Sequence, residues 1–99
     1  MISKKFLERL IQLSFIKHSG FFYTKHAEAR MIERHITTID IEEAYLNGGI
    51  THIESEDEKQ IKLHWEGYDQ YDDKIRIVMI YLKTEKTLIV TVIGDLYEN

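Results

Sequence analysis

The chain has 99 residues, 43% of them hydrophobic and 30% charged, with no cysteine, no proline and a formal charge of −4. A domain of this size buries roughly two-thirds of the surface its unfolded chain exposes, so one modest core in one domain is expected. Without cysteine there is no disulfide framework, thiolate metal site or cysteine nucleophile, which fits a cytoplasmic protein, and no apolar run is long enough to span a bilayer.

In chain order, Ile2 to Ile16 reads as an amphipathic helix. Phe6, Leu7, Leu10, Ile11 and Phe15 recur at three- and four-residue steps, while Lys5, Glu8, Arg9 and Gln12 take the other side. The charges within residues 1–10 argue against a secretory signal. Lys17-His18-Ser19-Gly20 ends the helix, with Gly20 suited to a left-handed terminus. Phe21, Phe22 and Tyr23 follow, and three adjacent aromatics cannot all face one way. At least one is expected in the core rather than on a base-stacking platform.

Thr24 is a suitable N-cap for a helix from about Lys25 to His35. On that helix His26, Arg30 and Arg34 are four residues apart and project from one side, with Lys25 next to them. One imidazole and two guanidinium groups so placed can hold an anion or move a proton. An ordinary solvated face also looks like this, and both readings stay open. Thr37 or Thr38 starts a third helix that Asn47-Gly48-Gly49 stops. Its Asp40, Glu42 and Glu43 suit the positive end of the helix dipole, and no second carboxylate-rich helix completes a coordination sphere. No metal and no cofactor are expected.

From Ile50 the hydrophobic period changes from helical to alternating. Ile50 to Glu54 reads as a short strand and Ser55 to Lys59 as a turn. Ile61, Leu63 and Trp65 alternate with Lys62, His64 and Glu66, a strand with one buried face, expected nearer a sheet edge. Gly67 to Lys74 reads as a loop. Ile75 to Leu82 and Thr87 to Ile93, joined by Lys83-Thr84-Glu85-Lys86, form a long hairpin that places Ile77, Met79, Leu88, Val90 and Val92 in the core. Gly94 to Asn99 reads as a tail. The expected fold is α+β: three helices packed on one face of a four-stranded antiparallel meander sheet. It forms one domain over residues 1–99, with an N-terminal helix in 1–20 and a core in 22–93.

Charge is unevenly spread. Residues 1–35 hold seven basic and three acidic groups, whereas residues 36–99 hold six basic and fourteen acidic ones. An anionic partner would therefore prefer the N-terminal third, and indiscriminate nucleic-acid binding by the whole domain is disfavoured.

The pattern Thr24-x-His26-Ala27-x-x-Arg30-Met31-x-x-Arg34-x-Ile36, followed by an acidic helix and a hairpin ending in Val90-Thr91-Val92, resembles a small bacterial family of unknown function, DUF4258. The resemblance runs from about Phe22 to Ile93. In the usual family pattern a glycine often follows the second arginine, and here His35 takes that place. The order of elements is in turn similar to BrnT-type toxins and to the RelE and BECR group of metal-independent ribonucleases. That likeness implies a base for the 2′-hydroxyl, an acid for the leaving 5′-oxygen and fixed positive charge at the phosphate. His26 would carry the proton, and Arg30 and Arg34 would fork onto phosphate oxygens. A cleft across the sheet would add Arg76 and Tyr81 from the third strand and Lys62 or His64 from the second. Two functions follow: a toxin-type ribonuclease without cofactor, or a non-catalytic module that docks a protein partner or antitoxin. Neither involves a membrane.

Overall fold

Short polar side chains set where the helices begin. In the computed structural model, which describes residues 2–94, α1 spans Lys4–His18 and starts at Ser3, whose side chain accepts the Phe6 N–H. It runs to His18, two residues past the expected Ile16, and the left-handed conformation falls on Ser19 (φ 55°), one residue before the expected Gly20, which follows at φ 137°. α2 spans Lys25–Arg34. Thr24 Oγ1 accepts the Ala27 N–H at 3.0 Å and donates to the Val90 carbonyl at 3.1 Å, so the residue that caps α2 also ties it to the sheet. α3 spans Thr38–Asn47 behind a capping box in which Asp40 Oδ2 accepts the Thr37 N–H at 2.9 Å and Thr37 Oγ1 accepts the Asp40 N–H at 3.2 Å. Burial alone would raise the Asp40 pKa, but hydrogen bonds from Thr37 and Gln70 outweigh it and hold the carboxyl below its ordinary range.

The sheet has five strands in the order β1-β5-β4-β3-β2, with β1 at Phe22–Tyr23, β2 at Gly49–Glu56, β3 at Gln60–Tyr68, β4 at Lys74–Leu82 and β5 at Lys86–Ile93. β2 to β5 form the antiparallel meander, but the sheet is mixed. β1 runs parallel to β5, with Phe22 opposite Leu88 and Tyr23 opposite Ile89. The four-stranded antiparallel expectation is corrected by this strand, which has too few residues to show a period. The Thr24 N–H bonds the Ile89 carbonyl at 3.1 Å and extends the pairing. β3 is second from the edge, and β2 is the edge strand. Of the expected tail, Gly94 is described and residues 95–99 lie outside the described residues.

One face of the sheet is the core. Leu63 and Met79 pair across β3 and β4, as do Trp65 and Ile77, and Leu7, Ile11, Ala27, Met31, Ile41 and Ala44 from the three helices pack in the same buried cluster. Trp65 Nε1 donates to the Ala44 carbonyl at 3.2 Å. Gly67 lies so close beneath α3 that a Cβ there would meet the Ala44 carbonyl oxygen at 2.1 Å. Thr87 donates to Ser14 at 3.1 Å, which explains a serine on the buried side of α1. Ile77, Met79 and Val92 are buried as expected, but Leu88 and Val90 are only half-buried. A register shift pairs Met79 with Ile89 and Val78 with Thr91, so Ile89 and Val92 are the residues of β5 in the core cluster.

Candidate functional site

The α2 stripe lies beside the buried Ala27 and Met31. His26, Arg34 and Lys25 are exposed, and Arg30 is half-buried with Nη1 on Glu33 Oε1 at 3.0 Å. A pair of that kind at the surface contributes at most about 1 kcal/mol. Among the described residues no side-chain hydrogen bond or ion pair engages His26, Arg34 or Lys25, and none joins the stripe to His64 or Arg76. α2 packs on β5, whereas His64 and Arg76 stand on β3 and β4.

The second concentration of chemistry is on the sheet face opposite the core, where alternation along β3 and β4 sends Lys62, His64, Glu66 and Arg76. His52 on β2 is directly opposite His64, and the two rings meet edge to face with centroids 5.5 Å apart. His64 Nε2 is 2.8 Å from Glu54 Oε1, while Lys62 Nζ is 3.1 Å from the other oxygen of that carboxylate. The hydrogen bonds from His64 and then Lys62 hold the Glu54 carboxyl below its ordinary pKa. An ionised Glu54 oxygen can only accept, so His64 Nε2 is the donor of that hydrogen bond.

A second carboxylate organises the neighbouring cations. Glu66 receives Arg76 Nε at 3.2 Å and Nη2 at 3.1 Å on one oxygen and Lys74 at 3.3 Å on the other, with Thr51 Oγ1 3.3 Å away. Burial by itself would raise its pKa, but Lys74 and Arg76 outweigh burial and lower it. Arg76 Nη1 keeps no partner among the described residues.

Tyr81 is not part of this group. It is 5% exposed on the core side, opposite Ile61 and Thr87, and lines a cavity with Leu10, Leu13 and Ser14 of α1. Burial pushes its phenol pKa up. Arg76 and Tyr81 are an odd number of residues apart on one strand, so they face opposite ways. Conversely, sequence reasoning missed His52 and Glu54. Their pairing was not legible, because the register beside the turn sets Glu56 opposite Ile61 and continued regularly would put His52 opposite Trp65; the irregularity between Ile53 and Ser55 brings His52 opposite His64.

The family model described as a domain of unknown function, DUF4258, matches residues 23–93, from Tyr23 in β1 to the last residue of β5. The chain belongs to the DUF4258 family. No curated protein and no solved structure matches the chain. Both the α2 stripe and the histidine face fall inside the DUF4258 match, and α1 falls outside it. Among the described residues no group of three or more histidine and carboxylate side chains is placed to hold a metal ion, and no helix is long and apolar enough to cross a membrane.

Proposed function

We propose that this DUF4258 domain is a metal-independent ribonuclease of the BrnT and RelE toxin type, and that its reaction takes place on the sheet face carrying His52 and His64. The observation that supports this is the edge-to-face imidazole pair with one ring hydrogen-bonded to Glu54. His64, oriented by Glu54, takes the proton of the ribose 2′-hydroxyl through Nδ1. The 2′-oxygen attacks phosphorus, the bond to the 5′-oxygen breaks, and His52, entering protonated, gives that oxygen its proton. The products are a 2′,3′-cyclic phosphate and a 5′-hydroxyl. Glu54 stabilises the imidazolium formed on His64, and Arg76 Nη1 and Lys62 face the charge that builds on the phosphoryl oxygens. A flat sheet face suits an extended single strand better than a small ligand. The basic α2 stripe becomes a secondary phosphate contact.

The test is incubation of the purified protein with single-stranded RNA in the presence of a metal chelator, with analysis of the new ends. Cyclic phosphate ends are expected, lost in His64→Ala and in His52→Ala. Cleavage that persists in both variants would end the assignment.

One observation favours a second reading, a non-catalytic module that docks an acidic protein partner. Each cation of the sheet face already has a carboxylate: Lys62 and His64 share Glu54, and Lys74 and Arg76 share Glu66. Under that reading no variant cleaves RNA, and Arg30→Ala and Arg34→Ala weaken a salt-sensitive protein complex instead.

A further inference from the structure

The helical layer, on the other side of the sheet from the histidines, presents two apolar stripes of opposite charge. On α1, Phe6, Leu13 and Ile16 are all at least half exposed, Ile16 at 66%. Arg9 stands three residues after Phe6, four before Leu13 and seven before Ile16, so the four form one outward strip opposite the buried Leu7, Ile11 and Ser14. On α3, Ile39 and Leu46 are 61% and 73% exposed and flank the exposed Glu43 at four- and three-residue steps, opposite Ile41, Ala44 and Tyr45. A groove of about 460 Å³ between the two helices is lined by Lys5, Arg9, Gln12 and Leu46 among others. Neither Arg9 nor Glu43 is in an ion pair among the described residues.

Single exposed apolar side chains are ordinary, but here two adjacent helices each carry a stripe with one unpaired charge at its middle. A partner that covers α1 has to offer apolar groups around an anion, and one that covers α3 has to offer them around a cation. The chain itself carries both. We infer that the helical layer is the interface of a homodimer in which α1 of one copy lies on α3 of the other, with Arg9 facing Glu43 in each half. A two-fold axis through the groove satisfies both stripes at once and closes the assembly, as an isologous interface requires. An unrelated acidic helix would cover only α1 and leave α3 open. This inference is independent of the ribonuclease reading, because the stripes of α1 and α3 share no residue with the histidine face or the α2 stripe.

Sedimentation equilibrium of the full chain across the micromolar range tests it. The unaltered chain is expected to form dimers. Arg9→Glu and Glu43→Arg are each expected to weaken dimerisation by at least about tenfold, since both halves of the interface then set like charges together. Both positions are exposed, so circular dichroism and melting of the monomers stay unchanged. An equimolar mixture of the two variants is expected to restore the dimer, because each mixed contact again joins opposite charges. A chain that stays monomeric throughout, a dimer indifferent to either substitution, or a mixture no more associated than its components would overturn the inference.

Discussion

The α2 stripe and the histidine face contain similar groups, yet they are assembled by different means. On α2 the helical period alone aligns His26, Arg30 and Arg34; among the described residues Arg30 pairs with Glu33, and no side-chain partner engages His26 or Arg34. On the sheet, strand pairing sets His52 against His64, and Glu54 then fixes the His64 ring at 2.8 Å. Proton transfer needs an imidazole held in one tautomer and one direction, whereas phosphate attraction needs only charge within a Debye length. Under the proposed function, the comparison assigns the chemistry to the sheet and the attraction to the helix.

The largest expected effect would break that comparison if it went the other way. If His64 is the proposed general base, His64→Ala should lower the rate of RNA cleavage by about 10² to 10⁴ while RNA affinity stays nearly the same, because a general base acts in the transition state. His26→Ala should change the rate by less than about threefold, since an unoriented exposed imidazole supplies no such term. Single-turnover kinetics on the two variants decides the matter. A deep loss in His26→Ala with normal cleavage by His64→Ala would invert the assignment.

The next effect separates the histidine face from the core behind it. Leu63 and His64 are neighbours on β3 with opposite orientations, and Leu63 is fully buried. Leu63→Ala should cost about 2 to 5 kcal/mol of unfolding free energy. His64→Ala should cost about 1 kcal/mol, the scale of a surface pair with one partner half-buried. Denaturant melts of both would show whether the imidazole is held for stability; equal losses would make it a structural residue.

The alternation of β3, the three helices and the closing hairpin were legible in the sequence because each spans enough residues to show its period. β1 was not legible, because Phe22 and Tyr23 are too few to alternate. The inward residues of β5 were misread at Leu88 and Val90, because a register shift breaks the alternation there and no sequence signal marks it. The candidate site was half legible. His64 and Arg76 stood out as titratable and basic residues, but Glu54 is one of several acids near the turn. Its contacts depend on the irregular pairing of β2 that lets it reach both Lys62 and His64.

Acid stability gives a third test. Asp40 and Glu66 both have pKa values lowered in the folded state, by hydrogen bonds in one case and by Lys74 and Arg76 in the other. A depressed folded pKa stabilises the fold at every pH above the unfolded value and loses that contribution as pH falls through the folded one. Stability should therefore be flat from neutral pH downwards and fall only below about pH 4, the unfolded carboxylate range. Asp40→Asn should lower stability at neutral pH by about 1 kcal/mol through the capping box and make the acid fall shallower. A steeper acid limb in that variant would contradict the assigned direction.

Smaller still is the contribution of the stripe to binding. Arg30→Ala and Arg34→Ala should each weaken RNA affinity severalfold and reduce the slope of log K against log salt by roughly one, the signature of a lost phosphate contact. Cleavage of bound RNA should not change. A rate defect at saturating RNA would move the stripe from attraction into chemistry and close the distance between the two regions.

The smallest effect concerns the turn between α2 and α3. His35 ends α2 in the left-handed conformation at φ 56°, so the turn that a glycine would make freely is made by a residue with a Cβ. Relief of that conformation by His35→Gly contributes about 1 kcal/mol, and the added freedom of glycine in the unfolded chain offsets about 0.4 to 1 kcal/mol of it. The net gain should be a few tenths of a kcal/mol, a rise in Tm of no more than about 4 °C for a domain this size. His35 also lines a cavity of about 570 Å³ with Tyr23, Met31, Ile32 and Ile36. A fall in Tm would therefore mean that the imidazole contributes packing there worth more than the backbone conformation costs. Under the proposed function, cleavage by His35→Gly should match that of the unaltered chain, because neither proposed proton-transfer group lies on α2.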